Sequence, residues 1–436
     1  MNPLANLLPE RASPGTVCVV TLPAPPRPVD AVLALLPDGD LALWDEGPDT
    51  WALAGRGTAV RLTGNGLADV RRQAEAMWPR VQEFRDPRCA EVPSAWLVGG
   101  AAFRTGGTRE EPWTPFADAD FCLPRWSYLV RGSDAAVRLC VTADELPLRE
   151  RWLEEFANLA WDQGDVPSSA TGPVGAVAAS PPVAPAWTAL VQAALVELDA
   201  GRLAKVVAAR RTLRLLQCTI DVPGLLLRLR DRHPGVIRFA IGRGNSVFLG
   251  ATPERLLERR GRQVTTDALA GTVRHGEVHS AKDHREHTPV VAAIAADLQA
   301  FCDRVDADSV PGVRRLRDVQ HLWTRVQGQL ASDAHVLDVG ATLHPTPAVC
   351  GLPRPQALAF IDAHEEAPRG WYAGPVGWFD ASGDGVLAVA IRSALVRGPE
   401  AWLHAGAGLV CGSDPEAEWH ETTWKLATIG SVLEGA

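Results

Sequence analysis

Short apolar runs broken by turn residues fill residues 1 to about 160, the pattern of strands. Ala31–Leu36 and Leu41–Trp44 flank Pro-Asp-Gly-Asp and predict a hairpin. Tyr128–Val130 and Ala136–Val141 predict a second across Arg131-Gly-Ser-Asp, Ser94–Phe103 reads as a strand, and Leu148–Ala160 has helical composition. Residues 163–185, rich in Pro, Gly, Ser and Ala, predict a loop. Beyond it helix and strand alternate. Ala186–Ala200 is helical with Gly201 as its stop, Lys205–Leu213 a strand, Leu225–Arg232 a helix, and Val236–Ile241 with Ser246–Leu249 a hairpin. Ser280–Arg304 predicts a long helix, Trp371–Asp380, Gly385–Val396 and Ala401–His404 strands, and Asp414 to about Leu433 a last helix. Such a mixture predicts an α/β or α+β domain.

Composition narrows the function classes. The chain has 436 residues, 46% of them hydrophobic, enough for a large core without disulfides. A net charge of -9 excludes the concentrated basic face that nucleic-acid binding needs. The eight cysteines are scattered with no C-x-x-C pair, which predicts reduced thiols and no zinc knuckle. No basic start followed by an apolar run opens the chain, and prolines interrupt the uncharged stretch 166–196, so no signal peptide or membrane helix is predicted. The expected location is cytoplasmic.

Two helices carry acids in patterns that suggest chemistry. In SAKDHREHTPVVAAIAADLQAF, Ser280 and Asp283 form a capping-box-like start. Val290, Val291, Ile294, Leu298 and Phe301 mark the buried face, with Glu286 in line with it and Asp283 on the same side. The C-terminal helix repeats the theme: Asp414 or Ser413 caps it, Pro415 opens it, and Glu418, Glu421 and Lys425 follow at i, i+3 and i+7. A solvated Glu–Lys face is the plain alternative. Two acid pairs on separate helices suit one hard cation such as Mg²⁺, completed by water and a substrate carboxylate. His275, His279, His284 and His287 keep a zinc reading open, without an HExxH spacing to support it. Before the last helix, Gly406 and Gly408 in AGAGLVCGS permit close approach of backbone to a ligand.

Seven segments occur in the order of one known family: KVVAARR from Lys205, ATPERLL from Ala251, TDALAGTVRHG from Thr266, KDHREHTPVV from Lys282, LHPTPAVCGLP from Leu343, GWYAGPVGWFD from Gly370, and AGAGLVCGSDPEAEWHETTWKLATI from Ala405. The chain resembles the chorismate-utilising enzymes, strongly over about 185–436 and more loosely before, through GGAAF at Gly99, Trp113, Phe116 and FCLP at Phe121. The resemblance implies one large α/β (α+β) domain over 1–436, of layered, mostly antiparallel sheets flanked by helices. Within it, 1–162 is a divergent part, 163–185 a surface loop and 186–436 the catalytic part. Lysine at position 205 resembles isochorismate and salicylate synthases, which use water, where anthranilate synthases typically carry glutamine. Ala270 stands where aminodeoxychorismate synthases commonly have a nucleophilic lysine, and no early Leu-Leu-Glu-Ser segment is present.

By this resemblance chorismate is the substrate and isochorismate the expected product, with salicylate synthase, anthranilate synthase and an inactive chorismate-binding protein as alternatives. Water adds at C2 while the C4 hydroxyl leaves. Lys205 is implied as the base and Glu254 as the acid, so lysine acidity, ordinarily near ~10.4, must fall and glutamate acidity, near ~4.3, must rise. Thr252 is expected to cap a short helix bearing Glu254. Mg²⁺ is implied between Glu286 and Glu421, with Asp283 and Glu418 reaching it through water. Arg392, Tyr372, Lys425 and the Gly408 backbone are implied carboxylate contacts. His321 is expected near the ring hydroxyl or pyruvyl group, and Ala270, Gly271 and Thr272 near the C4 hydroxyl. Asp267, usually glutamate in relatives, is expected close by. Oligomeric state, monomer or homodimer, is left open.

Overall fold

In the computed structural model, residues 2–159, 176–179, 184–274, 276–315 and 319–433 are described. Their strands form one hydrogen-bonded network of 21 strands. Pairing is antiparallel throughout except between Val17–Pro23 and Val81–Arg85. Two sheets meet at a corner made by the long strands Ala52–Gly64 and Ala119–Arg131. The far half of Ala119–Arg131 pairs with Asp134–Thr142, and its near half pairs with Leu97–Ala101. From that corner one sheet runs through Leu41–Asp45, Ile237–Arg243, Ser246–Thr252, Ser393–Arg397 and Glu400–Leu409 to Lys205–Leu216. The other runs through Pro375–Phe379, Gly385–Val389, Arg255–Arg260 and Gln263–Arg274 to Val319–Leu330. Both sheets combine strands from the first, middle and last thirds of the chain, which makes the protein a single domain of antiparallel sheets flanked by helices.

Helix Ala281–Gln299 starts as its sequence suggests: Ser280 caps it and Asp283 returns the bond to Ser280. Val290, Ile294 and Leu298 bury its inner face. It ends sooner than expected, because Cys302–Ala307 pairs with Val319–Leu330 as a strand. Helix Pro415–Leu433 is capped by Asp414, which accepts from the Glu416 and Ala417 amides at 3.1 and 2.9 Å. The eight cysteines are free. No helix among the described residues is long and apolar enough to cross a membrane.

Three local expectations are corrected. Ala31–Leu36 is no hairpin arm. It lies in the helix Val29–Val32 and the turns after it. Val29, Val32, Leu33 and Leu36 are buried at helical spacing, and Asp30 is held by Arg230 and Arg238. Thr252 caps no helix, for Pro253 and Glu254 join two strands directly. The single strand expected over Gly385–Val396 is two, interrupted where Arg392 adopts a positive φ of 52°. The loop expected at 163–185 lies mostly outside the described residues, apart from a strand at Ala176–Ala179 and the start of helix Ala184–Asp199.

Candidate active site

The two sheets leave a cavity of about 80 Å³ between their last strands. Its floor is the ribbon of Lys205–Leu216 and Glu400–Leu409, in which Val207 faces Gly408 and Ala209 faces Gly406. Directly opposed residues share a face, and alternate residues repeat it. Lys205, Val207, Gly406 and Gly408 thus all look into the cavity. The glycine at 408 is required by crowding: a Cβ there would lie 2.7 Å from Glu286 Oε1 and 3.0 Å from Lys205 Cε. Gly408→Ala should therefore displace the Lys205–Glu286 pair and lower kcat/KM by about 10²-fold, since small misplacements at a reacting centre cost that much. Steady-state kinetics on a variant with unchanged circular dichroism checks this, and wild-type rates would refute it.

The facing wall comes from Gln263–Arg274 and Val319–Leu330. Their pairing shifts register between Ala270 and Thr272, where Gly271 takes φ +67°. The bulge turns Ala270, Gly271 and Thr272 toward the cavity beside His321. Thr272 Oγ1 lies 3.0 Å from His321 Nδ1, while His321 Nε2 is buried with no partner among the described residues. Burial, with Arg392 and Lys425 nearby, holds His321 well below the usual histidine range, so its ring is neutral.

Glu254 enters where Ser246–Thr252 passes into Arg255–Arg260. Its amide donates to Thr252 Oγ1 at 3.3 Å, its carbonyl accepts from the Val389 amide at 3.0 Å, and Thr252 Oγ1 donates to Val389 O at 2.7 Å. The Glu254 backbone is thus fixed to the strand Gly385–Val389, three residues before Arg392. Both Lys205 (5% exposed) and Glu254 (4%) are buried in the cavity lining. Burial, reinforced by the Asp267 charge, pushes the Glu254 carboxyl up to about 8 against the opposing pull of Lys205 and Lys425. At neutral pH it is predominantly a proton donor. Asp267 is itself held by Trp323 Nε1 at 2.9 Å and Arg314 Nη1 at 3.0 Å, so it acts on the site by charge.

Two helices supply the remaining carboxylates. Lys205 Nζ donates to Glu286 Oε1 at 2.8 Å. Lys425 Nζ donates to Glu421 Oε1 at 2.5 Å and to Gly406 O at 2.8 Å. Tyr372 and Arg392 complete the lining. Tyr372 is buried, its phenol raised to about 12, and its ring stacks on His404 at 5.0 Å.

The structure thus gathers Lys205, Glu254, Ala270, Gly271, Thr272, Glu286, His321, Tyr372, Arg392, Gly408, Glu421 and Lys425 around one cavity. Asp283 and Glu418 do not line it. The Asp283 carboxylate is spent on Ser280, from whose amide and hydroxyl it accepts at 2.6 and 2.7 Å, and Glu418 is buried elsewhere. No cluster of three or more Asp, Glu, His or Cys side chains poised for a metal occurs among the described residues. His279 is bonded to Gly271 O and His287 to Thr324, while His275 lies outside the described residues. Two carboxylates on one cavity, each countered by a lysine, fit a hard cation that keeps waters and takes a substrate oxygen. They do not fit a closed four-ligand zinc site.

Sequence reasoning missed Arg369 and His404. His404 was legible, since it alternates with Gly406 and Gly408 onto the cavity face. Arg369 carried no such signal. Its guanidinium is buried, pairs with Glu365, and donates to Val207 O at 2.7 Å and Val349 O at 2.8 Å, tying the floor strand to the cavity rim.

A buried acid, an amine, two lysine-countered carboxylates and a buried arginine thus line one cavity. The chain belongs to the chorismate binding enzyme family, whose model matches residues 10–434. It is 38% identical over 400 residues to the salicylate biosynthesis isochorismate synthase of Pseudomonas aeruginosa, covering 86% of this chain and 82% of that protein. It is 32% identical over 363 residues to the isochorismate synthase MenF of Bacillus subtilis, covering 78% and 74%. The solved structure of MenF, the menaquinone-specific isochorismate synthase from Escherichia coli, superposes with a TM-score of 0.81 at 28% identity, covering 99% of this chain and 98% of that one. Isochorismate synthases are isomerases, and this chain is an enzyme of their family.

Proposed function

We propose that the protein is a cytoplasmic, Mg²⁺-dependent isochorismate synthase. The observation that carries this reading is the pairing, in one cavity, of buried Lys205 with a Glu254 whose carboxyl stays protonated at neutral pH. Glu254 gives its proton to the departing C4 hydroxyl, and Lys205, in its uncharged amine form with its ammonium proton first released, accepts one from the water that adds at C2. Arg392 offers a guanidinium fork to a carboxylate of the substrate. Neutral Tyr372 and neutral His321 bind oxygen atoms without adding charge. Ala270 leaves room for the ring and cannot attack it.

Glu286 and Glu421 would hold Mg²⁺, which supplies neutralisation and orientation of the ring carboxylate. Since Lys205 and Lys425 occupy these carboxylates in the structure, the cation and the lysines compete for them. Chelation with EDTA is expected to stop turnover and added Mg²⁺ to restore it. Full activity in EDTA would remove the metal from the account. The P. aeruginosa relative is named for salicylate biosynthesis, which keeps salicylate synthase as the second reading. Incubation with chorismate and Mg²⁺ followed by chromatography separates the two: isochorismate supports the proposal, and salicylate formed without an added lyase rejects it.

A further inference from the structure

A second cavity, of about 560 Å³, continues from the first along the same ribbon. In the register of the floor strands, Arg211 faces His404 just beyond Ala209 and Gly406. Arg369 and His404 line both cavities and form the wall between them. On the far side the walls are aromatic and apolar. Trp187 and Trp419 meet edge to face with centroids 6.1 Å apart, and small alanines of helix Ala184–Asp199 lie between.

The charge in this second cavity is unbalanced. Arg210 lies 3.8 Å over the Trp419 ring and donates only to hydroxyls: Thr422 at 2.7 Å, Thr423 at 2.9 Å and Thr212 at 3.3 Å. Arg211 Nη1 is buried with no hydrogen-bond partner among the described residues. Neither guanidinium forms an ion pair among those residues. Burial lowers the pKa of both, Arg210 to about 10, which leaves it charged at neutral pH, while the Glu110 charge opposes the shift at Arg211. Of the acids in the lining, Glu365 is committed to Arg369 and to the Ala209 amide, and Glu366 is exposed. Two half-buried guanidiniums without an ion pair among the described residues make an anion site. Tryptophan faces and small apolar side chains select a flat ring.

We propose that this second cavity binds a small aromatic carboxylate, apart from the catalytic cavity and coupled to it through the wall of Arg369 and His404. The carboxylate pairs with Arg211 and Arg210, and the ring lies against Trp419. Because His404 stacks on Tyr372, an occupant pressing on His404 shifts Tyr372 in the catalytic cavity.

Calorimetric titration of the full chain with benzoate, without Mg²⁺ or chorismate, tests the binding. Wild type should bind, Arg211→Gln should weaken binding by about tenfold or more through loss of a charge-assisted bond, and Ala189→Phe, which fills the cavity, should abolish it. Glu254→Gln should bind as wild type. With chorismate present, benzoate should lower kcat in wild type and not in Arg211→Gln. Equal affinity in wild type, Arg211→Gln and Ala189→Phe, no binding at all, or inhibition competitive with chorismate and indifferent to both variants would each overturn the proposal. The titration does not depend on turnover, so it stands or falls separately from the proposed reaction.

Discussion

Glu254→Gln is expected to lower kcat by about 10²–10⁴-fold, the usual worth of a positioned general acid, with the fold intact. Glutamine keeps the volume and the contacts of the backbone to Thr252 and Val389, but has no acidic proton to give. The pH behaviour gives the sign. Glu254 must be protonated to act, so wild-type activity should fall as pH rises through about 8. Stability follows the same group. Its folded pKa of about 8 lies above the ordinary glutamate value of 4.5, so the folded state binds the extra proton between the two and loses stability as pH climbs across that window. Glu254→Gln lacks that loss, and its melting temperature relative to wild type should rise from pH 4.5 toward pH 8. A variant with wild-type kcat, or one whose relative stability is flat with pH, would contradict the assignment.

Lys205→Ala should cost a similar factor, about 10²–10⁴ in kcat, if the amine is the base. Its second effect separates that role from simple packing. Removing the ammonium frees Glu286, so Mg²⁺ should bind the variant more tightly than wild type while turnover stays lost. Calorimetric titration with Mg²⁺ alongside single-turnover kinetics measures both. Activity restored by excess Mg²⁺ would show that Lys205 serves only to balance charge, and unchanged kcat would remove it from the chemistry.

How far this was legible in sequence depends on which force set each element. Where local pattern and tertiary packing agree, the expected elements appear, as in the capped helix Ala281–Gln299 and in the hairpin of Tyr128–Val130 with Ala136–Val141, whose first arm extends back to Ala119. Gln263–Arg274 lacks a clean alternation, because Thr266 to Gly271 are buried on both faces, and it was reached only through motifs. Ala31–Leu36 looked extended because its apolar run is continuous, although the buried positions follow helical spacing. The break at Arg392 leaves no mark in VAIRSALV, since no glycine or proline announces the positive φ. In the site, motif order brought most of the named residues to one cavity. It placed Asp283 near the metal through water, and that acid also caps the helix start, accepting from the Ser280 amide at 2.6 Å. It overlooked Arg369 because a buried arginine whose bonds go to distant carbonyls has no local pattern.

The most direct measurement is isotopic. Turnover of chorismate with Mg²⁺ in ¹⁸O-labelled water, followed by mass spectrometry of the product, reports which oxygen arrives at C2. Isochorismate carrying one solvent oxygen on its ring is the expected result. Unlabelled isochorismate would mean that the hydroxyl migrates within the substrate, and no role would be left for an amine that activates water.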